Sequence, residues 1–173
     1  MRPYLIAAIL LALPAGAVIV DRIAIAAGTK VITDSEIQLR IRLTALQNNA
    51  TPDFGLESRK RAAQLLIDQR IVEREMDVGH YPRLSGDERK RLLANYSADQ
   101  EALRRSLQKY GLTAEDLEED LARQADLLTF LSLRFRPVAE NPSDERADSE
   151  LNAWLRDQRK RTKIEYLERE LAP

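Results

Sequence analysis

Apolar positions alternate near the start of this chain and then switch to a helical period for most of its length. The stretch DRIAIAAGTKVITDSEI, Asp21 to Ile37, shows the change. Ile23 and Ile25 alternate with Arg22 and small alanines, and Val31 and Ile32 follow after Gly28-Thr29. Alternation over a few residues predicts strands. Glycine at the first of two central residues favours a type II′ hairpin turn. Thr33-Asp34-Ser35-Glu36 then forms a capping box: the Thr33 hydroxyl can accept from the Glu36 backbone, and the Glu36 carboxylate can reach back. The helix it opens runs to about Gln47 and turns Ile37, Ile41, Leu43 and Leu46 mostly inward. Asn48 to Pro52 is a loop by composition.

The helical period returns over Leu56 to Val78, with Ala62, Leu65, Leu66, Gln69, Ile71, Val72 and Met76 as its stripe. Gly79 is placed as a left-handed stop, and Pro82 confirms the break. Ser85-Gly86-Asp87-Glu88 is a second capping box and opens a short helix with Leu92 and Leu93. Asp99 to Lys109 is a further helix, with Leu103, Leu107 and Tyr110 along one face and Gly111 at its end. Thr113 to Asp116 caps a longer helix, in which Leu117, Leu121, Leu128, Leu131 and Phe135 form the apolar rows. Pro137 to Ser143 is a connector. A last helix begins at Asp144 and carries Leu151, Trp154, Leu155 and Gln158. Thr162 to Glu168 alternates Ile164 and Tyr166 against Lys163 and Glu165, a strand in its first half.

An isolated two-stranded hairpin is marginal in water. The final strand is the natural third member, so the two ends of the chain are expected to meet in one sheet. The expected fold class is mostly α: a multi-helix body with a small antiparallel β-sheet built from the N-terminal hairpin and the C-terminal strand.

The extreme N-terminus reads differently. Arg2 is followed by the apolar run Tyr4 to Leu13, then Pro14 and the small residues Ala15-Gly16-Ala17. This is the pattern of a cleaved signal peptide over residues 1–17. It is shorter than the ~20 residues of a spanning helix. The expected location is therefore periplasmic or otherwise exported, with no stable membrane span after cleavage. An uncleaved anchor is the alternative, because Val18-Ile19-Val20 prolongs the apolar character.

Composition narrows the chemistry. The 173 residues carry a formal net charge of -1, which gives no overall attraction to nucleic acid. There is no cysteine, which removes disulfides, thiolate catalysis and cysteine metal sites. The one histidine, His80, cannot furnish a histidine cluster; it reads as a solvated or capping residue at a helix end. No phosphate-binding glycine loop, zinc-protease motif or nucleophile elbow appears. Asp116, Glu118, Glu119 and Asp120 read as an acidic helix start that complements the helix dipole. Arg-Lys-Arg triplets begin at Arg59, Arg89 and Arg159, each beside acids, and read as solvated faces with local ion pairs. No cofactor and no metal is expected.

The order of parts resembles the core module of the SurA-type periplasmic chaperones. The resemblance rests on DRIAIAAGTKVITDSEI, on RAAQLLIDQRIVEREM, on YGLTAEDLEEDLARQADLLTFLSLRFRP, and on ELNAWLRDQRKRTKIEYLE. It covers about Val20 to Arg136 and Glu150 to Glu168. It implies a helical chaperone domain over residues 18–136, a connector at 137–143, and a C-terminal helix and strand, 144–173, that pack back on the same domain. It also implies ATP-independent binding of unfolded or extended envelope-protein segments. The sequence departs from the family at the hairpin turn, where Gly28-Thr29 stands in place of the usual Asn-Gly, and more importantly in the isomerase domains. Members usually carry one or two parvulin-type prolyl isomerase domains before the C-terminal helix. Here only Pro137 to Ser143 stands there, and a domain needs roughly 50 residues. A chaperone module without the isomerase is the expectation. A diverged isomerase and a dedicated structural subunit of envelope assembly are the alternatives. Tyr96, Leu103, Leu107 and Tyr110 are the candidate residues for a peptide-binding groove; Trp154 reads as an anchor against the core.

Overall fold

The computed structural model describes residues 21–135 and 145–173. The leader at 1–17 and the connector at 137–143 lie outside the described residues. Strands β1 (Ile23–Ala27) and β2 (Lys30–Thr33) form the hairpin. Ala27 pairs with Lys30 across Gly28-Thr29, and Gly28 takes the positive φ of 63° that a II′ turn requires at this position. Strand β3 (Ile164–Tyr166) pairs antiparallel with the free edge of β1, giving the order β2-β1-β3. The sheet is therefore closed from the far end of the chain, with Ile25 opposite Tyr166 and Ala27 opposite Ile164.

The alternation in β1 breaks at Ala24. Ile23 faces Thr33 and Ile25 faces Ile32, so Ala24 is an extra residue and the strand is bulged there. Ala24 and Ile25 are consequently both fully buried although they are neighbours. The bulge also frees the Ala24 carbonyl, which accepts from the backbone N–H groups of Leu167 and Glu168 at 2.9 and 3.0 Å.

Helices α1 (Asp34–Gln47) and α2 (Leu56–Val78) follow the hairpin. The Thr33–Glu36 capping box is formed in both directions, at 3.3 and 2.9 Å. Helix α1 is apolar on two sides. Ile37 and Ile41 enter a core shared with the sheet and α2, while Leu43 and Ala45 enter a second core. Leu46 is half-buried at the edge of the second. Helices α3 (Gly86–Tyr96), α4 (Gln100–Tyr110) and α5 (Ala114–Arg134) come next. Both Ser85–Glu88 and Thr113–Asp116 form complete capping boxes. Leu103, Leu107 and Tyr110 of α4 meet Leu117 of α5 and the far side of α1 in the second core. Helix α6 (Glu145–Arg161) lies against α2, where Leu155 joins the first core.

The end of the chain is fastened to α2 by side chains as well as by the sheet. Arg159 grips the Asp68 carboxylate with two bonds of 2.6 Å. Gln64 donates to the Tyr166 hydroxyl at 3.0 Å, and Arg59 reaches Glu168 at 2.6 Å and Asp34 at 2.8 Å. Leu171, in a final 3-10 turn at Arg169–Leu171, is fully buried in the first core.

Three expectations are corrected. Leu65 and Leu128, counted in the apolar stripes of α2 and α5, are 55% and 54% exposed. The left-handed residue after α2 is His80 (φ 51°), whereas Gly79 keeps φ −84°. The Tyr81 and His80 N–H groups bond back to Met76 and Asp77, which makes His80 the residue at the Schellman position. Asp120 is not part of a solvated acidic helix start: it is 1% exposed.

Candidate functional site

The residues picked from α3 and α4 do not form one groove. Leu103, Leu107 and Tyr110 are buried core residues, and Tyr96 stands exposed at the end of α3. Leu103 and Leu107 also line a shallow hollow of about 480 Å³ with Leu93 and Leu112. Tyr96 and Tyr110 are not part of its wall. What these leucines offer a ligand is limited, because helix packing already covers most of their surface.

A different place has the character of a binding site. Helices α2, α5 and α6 enclose a cleft of about 350 Å³. Val72 and Met76 of α2, Leu127 of α5, and Leu151 and Leu155 of α6 supply its apolar lining, and Leu65 stands half-exposed beside them. The i, i+4 spacing of Val72 and Met76 puts both on the same face of α2. The Arg159–Asp68 clasp fixes α6 beside this face, and Asp68 itself belongs to the cleft wall.

The polar wall is built from buried carboxylates. Asp120 accepts from Arg40 at 2.5 Å and from Gln47 and Gln124 at 2.8 Å each. Asp126, 4% exposed, accepts from the Leu84 N–H at 2.9 Å and lies 3.7 Å from Arg83. Buried charges persist only when paired and hydrogen-bonded, and both carboxylates meet that condition within the chain. They are thereby committed to holding α1 and the α2–α3 loop against α5. Carboxylates bound in this way position the wall. Arg70, on the neighbouring face of α2, is bound by Glu36 and Glu73. Burial disfavours its charge, but the two carboxylates outweigh burial and raise its pKa above the ordinary arginine value.

At one end of the helical body, Phe130 is packed edge-on by Tyr81 (5.1 Å) and Phe135 (6.1 Å) and tilted against Trp154 (5.5 Å). The Arg134 guanidinium lies over the Trp154 ring at 5.2 Å and pairs with Glu75 at 2.9 Å. This cluster joins α6 to α5 and the α2 terminus, and Trp154 serves it as an anchor. The first arginines of two basic triplets have distant partners: Arg59 with Asp34 and Glu168, and Arg159 with Asp68. Arg161 keeps the local pair, with Asp157 one turn back at 3.0 Å.

Sequence reasoning passes over Asp126, takes the buried Asp120 for a solvated residue and counts the exposed Leu65 in the apolar stripe. A signal for the two carboxylates exists: Asp120 is three residues beyond Leu117 and Asp126 four before Phe130, so each sits inside an apolar helical row. Among the described residues, no group of three or more His, Asp and Glu is arranged to hold a metal ion, and no helix is long and apolar enough to cross a membrane. The fold is that of a mostly α protein with one small antiparallel sheet. No protein-family model matches the chain, and no curated protein is found similar to it.

Proposed function

We propose that this protein is a chaperone-like binding module that holds extended segments of unfolded, exported proteins without using ATP. The observation that carries the reading is the cleft between α2, α5 and α6, where aliphatic side chains line an open space beside the half-exposed Leu65. Such a lining accepts apolar side chains that a folded client buries, so unfolded chains bind and folded ones do not. Polar groups around the lining suit the backbone and polar residues of an extended segment. The resemblance of the sequence to SurA-type chaperone modules points the same way and suggests envelope proteins, outer-membrane proteins in particular, as clients.

The test is suppression of aggregation. Protein beginning at Val18 is mixed with a denatured outer-membrane barrel protein, and light scattering is followed after dilution from denaturant. Wild type is expected to lower the scattering at near-stoichiometric ratios. Leu65→Glu places a charge at an exposed edge of the apolar lining, so it should weaken protection several-fold while leaving the melting temperature nearly unchanged. No protection by wild type at several-fold excess overturns the reading.

A further inference from the structure

The face of α2 opposite the cleft lines a second, smaller cavity. Cleft residues Asp68, Val72 and Met76 and the residues Arg70, Arg74 and Val78 fall on opposite sides of the helix by its period. The second cavity measures about 230 Å³ and lies where the hairpin turn, α2 and the end of α6 converge. Its wall carries four cationic side chains, Lys30, Arg70, Arg74 and Arg161, and a single carboxylate, Glu75. Glu75 is already bound by Arg134 at 2.9 Å.

The four cations are not equivalent. Arg70 is neutralised by Glu36 and Glu73, and Arg161 shares Asp157. Among the described residues, Lys30 and Arg74 form no ion pair. The hairpin tip approaches Arg74 closely: a Cβ on Gly28 would lie 3.9 Å from the Arg74 guanidinium and 3.7 Å from the Thr162 methyl group. Gly28 also donates its N–H to the Lys163 carbonyl at 2.9 Å, so the turn is fixed in this corner. Thr29 adds a hydroxyl to the wall.

Like charges gathered in a concave site raise the local concentration of counter-ions. A guanidinium fork beside an ammonium suits the oxygens of a phosphate group. The cavity is smaller than the ~300–1,000 Å³ of sites for drug-sized ligands, which selects a compact anion over a nucleotide. We propose that this corner binds a compact phosphate-bearing anion, with Lys30 and Arg74 as its principal contacts. Free pyrophosphate and the headgroup of an anionic phospholipid present the same chemistry. The proposal is independent of the client cleft.

Two binding experiments on protein beginning at Val18 test it at ~0.15 M salt, where exposed charges are screened beyond about 8 Å. In one, inorganic pyrophosphate is titrated calorimetrically. In the other, the protein is sedimented with phosphatidylglycerol-containing vesicles and with phosphatidylcholine vesicles. Saturable binding in either arm is expected, and the arm that binds identifies the source of the phosphate. The Lys30→Gln/Arg74→Gln variant should weaken that binding at least ten-fold. Both residues are exposed, and neither forms an ion pair among the described residues, so this variant should melt with wild type. Arg104→Gln/Arg105→Gln removes two exposed charges from α4, and it should bind as wild type does. The proposal is overturned if neither arm shows binding, or if the α4 variant loses as much affinity as the Lys30/Arg74 variant.

Discussion

Two adjacent residues at the end of α2 divide a task that glycine usually performs alone. His80 adopts the left-handed backbone (φ 51°), which costs a non-glycine residue about 1 kcal/mol. Gly79 has ordinary φ and is instead needed for space: a Cβ there would lie 2.5 Å from the Tyr81 ring. His80→Gly should therefore raise stability by about 0.5 kcal/mol or less in urea denaturation, since relief of strain only just outweighs the added freedom of the unfolded chain. Gly79→Ala should lower it by about 1–3 kcal/mol through overpacking against Tyr81. Local sequence marks the break here but not which residue bears the strain, because the Tyr81 ring decides that. Asp120 poses the same difficulty over a longer range. Its place in an apolar helical row hints at burial, but its partners Arg40 and Gln47 lie 80 and 73 positions away, so the local sequence does not reveal the buried ion pair. Asp120→Ala should cost about 3–5 kcal/mol by stranding the Arg40 charge. Asp120→Leu combined with Arg40→Met should recover most of that in the same measurement.

At the scale of elements, the local signals proved strong. Capping boxes placed the starts of α1 and α3, and the capped, acidic first turn placed the start of α5. The whole span of α2 follows from its stripe, its loop and its terminal glycine. The sheet could be inferred because an unpaired hairpin is unstable and only one other segment alternates. The bulge at Ala24 was hidden, since a run of isoleucine and alanine looks the same with or without an extra residue. Yet the bulge is what offers the Ala24 carbonyl to Leu167 and Glu168. Cutting the chain after Arg161 removes β3, the Arg59–Glu168 pair and the buried Leu171 together. Amide exchange should then accelerate across β1, β2 and the first turns of α1, far from the cut in sequence. Leu171→Ala isolates one part of this and should cost about 2–5 kcal/mol.

For the molecule as a whole, neither cavity was legible. Each is assembled from elements that meet only after folding, and the residues lining them look like ordinary amphipathic surface. Leu65 illustrates this: it continues the apolar stripe of α2, and only the placement of α5 and α6 leaves it beside a cleft. The first and last of the described segments, by contrast, are near neighbours, with Arg22 3.2 Å from Glu168. A circular permutant of residues 21–173, joined by a short glycine linker and opened between Ser97 and Ala98, should keep native circular dichroism and a cooperative melt. Loss of folded structure in that permutant would show that the α3–α4 connection must stay covalent.

The closure of β1 by β3 also sets an order of events during synthesis. β1 is among the earliest described segments to emerge and β3 among the last. Until β3 arrives, the hairpin has an open backbone edge, and open edges invite pairing with other chains. Contacts between such distant segments also form slowly. A protein built this way gains from being kept unfolded, or attended, until its whole length is available.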